Sequence, residues 1–310
     1  MTGDSTANGS APAGVLRGER YLAACADLLA HCHGTLIYDS VMRDNEEKLG
    51  RVDAGYARWL DGLIAWLKQT YGVADLPVLD FGCGMGSLTV LMNSLGHRAI
   101  GLELQADHLR IARILADENG MNGNELFVRS SGTELPFEDD AFGIITMFSV
   151  VEHMTDAALL ALLPEFRRVC RGPIFVLIPN RWKIHDDHSK LRFVTWLPRA
   201  LAVPYIRMRG ARHRYHISDD GTWDVVSRGL FSAARLFARG KYHLEFPPDE
   251  HVFPPLDQLP PMRGIGRHMR IAGAARFVGL PYPVRAAGRL GVPRQAFYPY
   301  LNLLFVPERD

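Results

Sequence analysis

The sequence predicts an α/β fold, in which a mostly parallel sheet is covered by helices on both faces. Three observations predict it. From Leu76 onward, short apolar runs alternate with longer stretches of helical periodicity. The first of those runs ends in a glycine-rich turn, Gly82-Cys83-Gly84-Met85-Gly86, that opens a helix. The chain has 310 residues, 47% hydrophobic and 22% charged, which is enough apolar material for a large core.

Residues 1–14 are rich in Gly, Ser, Thr, Ala and Pro and lack a signal-length apolar run, so a disordered tail is expected. Residues 15–72 read as an N-terminal helical extension. One amphipathic stretch covers 21–29 and a second covers 56–67. In the second, Trp59, Leu63, Trp66 and Leu67 recur at helical spacing and are expected in the core.

Residues 73–180 hold the alternating core. Strands are expected at Pro77–Phe81, Arg98–Glu103, Leu126–Arg129, Phe142–Ser149 and Pro173–Pro179, with helices at 87–95, 105–119 and 157–169. Right-handed crossovers place every strand's carboxyl end on one edge, where ligands bind. Residues 181–290 break the rhythm. They are rich in Arg, His, Pro and aromatics, with helical pieces near 196–207 and 222–239, and are expected to form an insertion or lid carrying the acceptor region. Residues 291–310 return an apolar run, 295–306, as a last strand completing the sheet.

No segment offers ~18 uninterrupted apolar residues, so no membrane-spanning helix is expected. The cysteines Cys25, Cys32, Cys83 and Cys170 match neither a zinc spacing nor a disulfide framework, which suits reduced thiols in the cytoplasm. Cys32 between His31 and His33 reads as a helix-end cluster rather than a metal site. Charge is uneven. Residues 1–190 hold 17 Lys+Arg and 25 Asp+Glu, and residues 191–310 hold 18 and 9, leaving +1 overall. The basic third suits an anionic acceptor or peripheral membrane contact, and equally a solvated surface. It contains no polybasic run or nucleic-acid motif, so no nucleic-acid partner is expected.

The turn carries the chemistry. Glycines there let the chain bend sharply and let a ligand approach the main chain. A dinucleotide fingerprint requires G-x-G-x-x-G, but its sixth position is Ser87. Asp80 just ahead of the turn would repel a pyrophosphate and suits a ligand with ammonium and sulfonium groups. Glu103, at the end of the second strand, can accept both hydroxyls of a ribose.

With these features the sequence resembles the class I S-adenosylmethionine (SAM)-dependent methyltransferases. The resemblance rests on Val78–Gly86, Ala99–Glu103, Val128–Phe137, Asp140–Ile145, Val150–Met154 and Leu163–Val169. It implies a Rossmann-like, doubly wound, seven-stranded sheet ending in an antiparallel hairpin. It also implies SAM as cofactor, held by Asp80, Gly82, Cys83, Gly84, Gly86, Glu103, Leu104, Ser131, Gly132, Thr133 and Ser149. Where the family often has an acidic residue for the adenine amino group, this chain has Ser131. The Ser131 hydroxyl or the Gly132 and Thr133 amides would substitute.

Methyl transfer is an in-line displacement that needs a positioned nucleophile and, for a hydroxyl, a base. It needs no metal in principle, and none is assigned. Candidate bases are His153 after the fourth strand, and His185 and His188 after the fifth. A helical turn would align His185 with His188, and Asp186 or Asp187 would orient one imidazole. His213 and His216 suit a solvated loop better than substrate contact. The aromatic segment Phe193–Arg199 reads as a packed lid helix or, less readily, a wall of the site or a lipid contact. These features favour an O-methyltransferase acting on a small-molecule, glycan or lipid-linked hydroxyl. The alternatives are C- or N-methylation of a small metabolite and a catalytically silent SAM-fold binding protein. Intact Asp80, glycines and Glu103 argue against the last.

Overall fold

The computed structural model describes residues 15–49, 55–130, 134–213, 216–217, 223–253, 296 and 298–308. Three helices come first: α1 (Glu19–Leu28), α2 (Leu36–Lys48) and α3 (Gly55–Thr70). The sheet region follows with β1 (Val78–Phe81), α4 (Ser87–Ser94), β2 (Ala99–Glu103), α5 (Ala106–Glu118), the single turn α6 (Gly123–Leu126) and β3 (Phe127–Arg129). Next come β4 (Ile144–Phe148), α7 (Asp156–Val169), β5 (Ile174–Pro179), α8 (Arg199–Met208), α9 (Leu230–Arg239), β6 (Tyr242–Glu245) and β7 (Tyr300–Pro307).

The seven strands form one sheet in the order β3-β2-β1-β4-β5-β7-β6. The first five are parallel, and β7 runs antiparallel to both β5 and β6. This is the expected doubly wound sheet with its closing hairpin. The strands are nearly continuous apolar runs because helices cover both faces. Along β5, Phe175 and Leu177 join one core with α3, α4 and α5, whereas Ile174, Val176 and Ile178 join the other with α7 and α9. The period of two therefore appears as two cores rather than as alternating polarity.

The strand order reverses between β1 and β4, which leave the sheet's centre in opposite directions. That switch point opens a crevice at their carboxyl ends. The N-terminal helices are bound to the core that supports it. Glu118 of α5 accepts the Arg20 and Tyr21 amides at the start of α1, placing an acid at the positive end of that helix. Trp59 of α3 is buried, donates from Nε1 to the His251 carbonyl at 2.9 Å and meets Phe148 of β4 edge-on. Trp59 is thus a core residue, as its spacing predicts, whereas Trp66 is half-buried against that core.

Three elements differ from the sequence reading. Helix α2 is too polar to show a strong apolar stripe, yet Thr35 caps it by accepting the Tyr38 amide. The fourth strand starts at Ile144, because Phe142 only bridges Cys170. The 181–290 stretch is not all insertion, since α9 and β6 belong to the sheet layer. The part ahead of them packs on its own small core of Leu191, Val194, Ala202, Ile206, Trp223 and Val225. Cys32 lies buried at the end of a short helical turn, Ala30–Cys32, bonded to the Leu29 carbonyl.

Candidate functional site

The carboxyl edge of the sheet carries two groups of side chains, one on each side of the switch point. The first is the turn after β1. Gly82, Gly84 and Gly86 all have positive φ, at 73°, 55° and 79°. They differ in what surrounds them. A Cβ on Gly82 would lie 2.6 Å from Val150, and one on Gly86 would lie 2.5 Å from Ala112 and 2.7 Å from Phe127. One on Gly84 would meet nothing within 4 Å. Gly82 and Gly86 are thus needed for packing, whereas Gly84 exposes its backbone to open space. Cys83 anchors the turn through its amide to the Leu102 carbonyl at 3.1 Å, and its Sγ lies against Gly101.

Asp80 sits beneath this turn, 2% exposed. Its two oxygens accept hydroxyls from Thr89 at 2.7 Å and Thr146 at 3.1 Å. Burial pushes its carboxyl up to about 6, against the pull of those hydroxyls. No lysine or arginine among the described residues pairs with it. A cation above the turn would therefore favour its ionised form.

Glu103 ends β2 and turns its carboxylate to the same mouth. Oε2 accepts the Gly84 amide at 2.9 Å, and Oε1 accepts the Leu104 and Gln105 amides at 2.8 and 3.0 Å. A carboxylate has about four acceptor positions, so capacity remains for a ligand hydroxyl. Leu104 beside it is 52% exposed, an apolar surface open to a flat ring. Asp80, Gly82, Cys83, Gly84, Gly86, Glu103 and Leu104 are thus gathered at one place. Ser131, Gly132 and Thr133 lie outside the described residues. This cradle fits a ligand that joins a ribose to a cationic arm.

The second group begins after β4. Ser149 has φ 56° and donates its amide to the Leu177 carbonyl at 2.8 Å, turning the chain sharply. The turn Val151–His153 follows. Arg228 clamps it, with Nε donating to the Val151 carbonyl, one terminal nitrogen to the Met154 carbonyl and the other to Asp156. The Glu152 carbonyl also accepts the Val226 amide at 2.6 Å. Glu152 itself is buried, and neither carboxyl oxygen meets a donor at hydrogen-bond geometry. Burial raises its carboxyl to about 7, only partly offset by His188 nearby.

Three imidazoles stand together beside it. The ring centres of His153 and His188 are 5.2 Å apart, those of His153 and His216 5.6 Å, and those of His188 and His216 4.8 Å. Burial, then the neighbouring His188 and His216, lowers His153 to about 4, so it is neutral at physiological pH. Burial opposes charge on His188 too. Asp186, with Oδ1 3.5 Å from His188 Nδ1, outweighs it and raises His188. Asp224 accepts His216 Nδ1 at 3.1 Å.

His185 does not join them, and the helical alignment with His188 is overturned. Residues 181–190 form turns, because Asp186 Oδ2 accepts both the amide and the hydroxyl of Ser189 at 2.6 Å and competes with helix. His185 instead bridges Arg192, whose Nε donates to its Nε2 at 3.1 Å, and it is exposed. Asp187 pairs with Lys183 at 2.6 Å rather than with an imidazole. His153 and His188 are thus brought together, and His216, Glu152 and Asp224 join them without a shared spacing in the chain. His213 lies elsewhere, buried against the Ser189 carbonyl at 2.7 Å. The N-terminal extension reaches this loop, with Lys190 Nζ donating to Ser40 of α2 at 2.8 Å.

Residues 78–172 match the model of a methyltransferase domain. The chain is 34% identical over 97 residues to a ubiquinone biosynthesis O-methyltransferase of Leptothrix cholodnii, a match covering 30% of this chain and 40% of that protein. It is 35% identical over 118 residues to a ubiquinone/menaquinone biosynthesis C-methyltransferase of Vibrio campbellii, covering 37% and 45%. The chain thus spans less than half the length of these relatives. Among solved structures it is similar to the magnesium protoporphyrin IX methyltransferase of Synechocystis with bound SAH. That likeness covers 94% of this chain and 97% of that one, at 12% identity and a TM-score of 0.47.

Proposed function

We infer that this chain, whose residues 78–172 match a methyltransferase domain, is a SAM-dependent methyltransferase that moves the SAM methyl group to a hydroxyl of a small or lipid-linked acceptor. The observation that carries the reading is the meeting of the open Gly84 backbone with the Glu103 carboxylate at one turn, with a histidine group beyond the end of the neighbouring strand β4. SAM supplies a methyl group already activated by a sulfonium. Glu103 receives the ribose hydroxyls, the open Gly84 backbone lets the cofactor lie against the turn, and Leu104 covers the adenine side. Asp80 sets negative charge under the cationic arm. Ser149 and its strained turn shape the wall between cofactor and acceptor.

On the acceptor side, His188, raised by the Asp186 carboxylate beside it, is the stronger base for a hydroxyl proton, while His153, neutral at working pH, stands beside it as a hydrogen-bonding partner for that hydroxyl. The lipid-linked class draws support from an aromatic patch ahead of α8. Trp182, Phe193 and Trp196 are 61%, 44% and 43% exposed, and Trp196 packs edge-on to each of the other two. Arg181 and Arg192 flank them, a composition suited to an anionic lipid surface. The Leptothrix relative's name refers to ubiquinone biosynthesis, which agrees with a lipid-linked acceptor. No helix among the described residues is long and apolar enough to cross a membrane. The Vibrio relative's name supports a second reading, C-methylation, in which the histidine base is dispensable.

The test combines calorimetry and product analysis. Gly84→Arg fills the open space with a long cation and should weaken SAM binding by at least about 100-fold, or about 2.7 kcal/mol. Unchanged affinity removes the cofactor assignment. Labelled SAM with extracts of the native host, followed by mass spectrometry, should yield an O-methylated product that the Gly84→Arg variant does not make.

A further inference from the structure

We propose that Glu152, His153 and His188, flanked by His216 and Asp224, form a binding site for a divalent transition-metal ion of the zinc type. Ligand atoms of Glu152, His153 and His188 all lie within 4.8 Å of one another, and the same holds for His153, His216 and Asp224. His153 belongs to both sets, so the five side chains surround one small volume.

The donor set is chemically apt. Two imidazoles and a carboxylate bind zinc and related divalent ions at about 2.0–2.2 Å, leaving further positions open. Ligands around such an ion stand somewhat over 3 Å apart, so small rotamer adjustments close the 4.8 Å spread. An independent feature points to the same ligand. Glu152 is 2% exposed and neither of its oxygens has a hydrogen-bond partner. Buried carboxylates are normally satisfied, and one facing two imidazoles without a donor is the arrangement a cation completes.

The surroundings hold these groups in place. Arg228 pins the Glu152–His153 turn through the Val151 and Met154 carbonyls, and Asp186 and Asp224 stand beside the His188 and His216 rings. Carboxylates beside ligating imidazoles fix ring orientation and raise ligand basicity. Val150, in the same turn, touches Gly82 of the cofactor cradle. The ion would therefore stand next to the cofactor site, where its open position would take an acceptor oxygen and acidify the hydroxyl, replacing the imidazoles as the means of removing its proton. That use rests on the methyl-transfer reading, but binding of the ion does not.

The test uses the full chain, stripped with EDTA and titrated with Zn²⁺ by calorimetry, with Co²⁺ as the visible-absorption probe. One equivalent should bind, with the d–d spectrum of a mixed nitrogen–oxygen site. Glu152→Gln and His188→Ala should each weaken binding about tenfold or more. His216→Asn serves as a third variant should either fail to fold, judged by circular dichroism. His97→Gln, just before the amino-terminal end of β2, should bind as the native chain does. Absence of binding by the native chain overturns the site, as does equal binding by all folded variants. SAM calorimetry on the EDTA-treated chain separates the two readings. SAM binding without metal binding removes only the ion, and metal binding without SAM binding removes only the cofactor assignment.

Discussion

The two halves of the crevice are built by different means. On the β1–β2 side, backbone does the positioning: three glycines at positive φ, strand ends in parallel register, and amides converging on Glu103. On the β4–β5 side, side chains from four separate stretches meet: Glu152 with His153, His188, His216 and Asp224. The first half tolerates little variation in residue type, and its distant contacts, Thr146 on Asp80 and Val150 on Gly82, come from the adjoining strand and its end. The second depends on clamps such as Arg228 that lie far from it in the chain. Such a division suits an enzyme with one constant ligand and one variable one, because side-chain constellations change more readily than a strand-and-turn backbone.

The contrast is broken most severely by removing the clamp. Arg228 is 3% exposed and bonds three groups of the 151–156 turn. Arg228→Ala should lower turnover of the acceptor found by product analysis by about 100-fold, since displacing a catalytic group by about 1 Å costs that much. SAM affinity should stay within about twofold, because the β1–β2 half is built without Arg228. Arg228→Lys should recover only part of the turnover, since an ammonium lacks the guanidinium fork. Equal loss of SAM affinity and turnover would merge the two halves into one unit.

The same contrast governs what could be read from sequence. Asp80, the glycines and Glu103 were legible because their positions follow from a strand, a turn and a fixed distance to the next strand end. The sheet was legible for a similar reason, since continuous apolar runs such as Ile174–Ile178 identify strands covered on both faces. His153 and His188 were visible as candidates, but not their meeting with His216 and Asp224, which the loops alone bring about. His185 illustrates the opposite failure. Three-residue spacing suggested a shared face, and Asp186 with Ser189 made a turn instead. Helix α2 had only its Thr35 cap as a signal, because its stability comes from packing rather than an apolar stripe.

A smaller effect sharpens the backbone half. Asp80 titrates at about 6, above its ordinary 3.8. Between those values the folded chain keeps a proton that the unfolded chain has lost. The contribution of Asp80 to stability is therefore full below about pH 4 and is lost as pH rises through 6, by at most about 3 kcal/mol. SAM, a cation, should prefer the ionised carboxylate, so its affinity should rise about tenfold from pH 5 to 7 and then level off. Asp80→Asn should remove this part of the stability profile and flatten the affinity profile, as followed by thermal unfolding and calorimetry. A native affinity independent of pH would detach Asp80 from the cofactor's charge.

The smallest expected effect divides the second half internally. His185 and His188 share a loop and a residue type, but His185 is exposed and engaged by Arg192, whereas His188 lies among Glu152, His153 and Asp186. His185→Ala removes one exposed contact of a kind worth about 0–1 kcal/mol and should change turnover by less than about threefold. His188→Ala should lower turnover far more at unchanged SAM affinity, because it removes the ring that meets both other imidazoles and takes away the imidazole beside buried Asp186. Steady-state rates of the two variants on one acceptor decide the matter. A larger loss at His185 would move the reacting centre outward, toward Arg192 and the aromatic patch, and make that patch part of the acceptor site rather than a docking surface beside it.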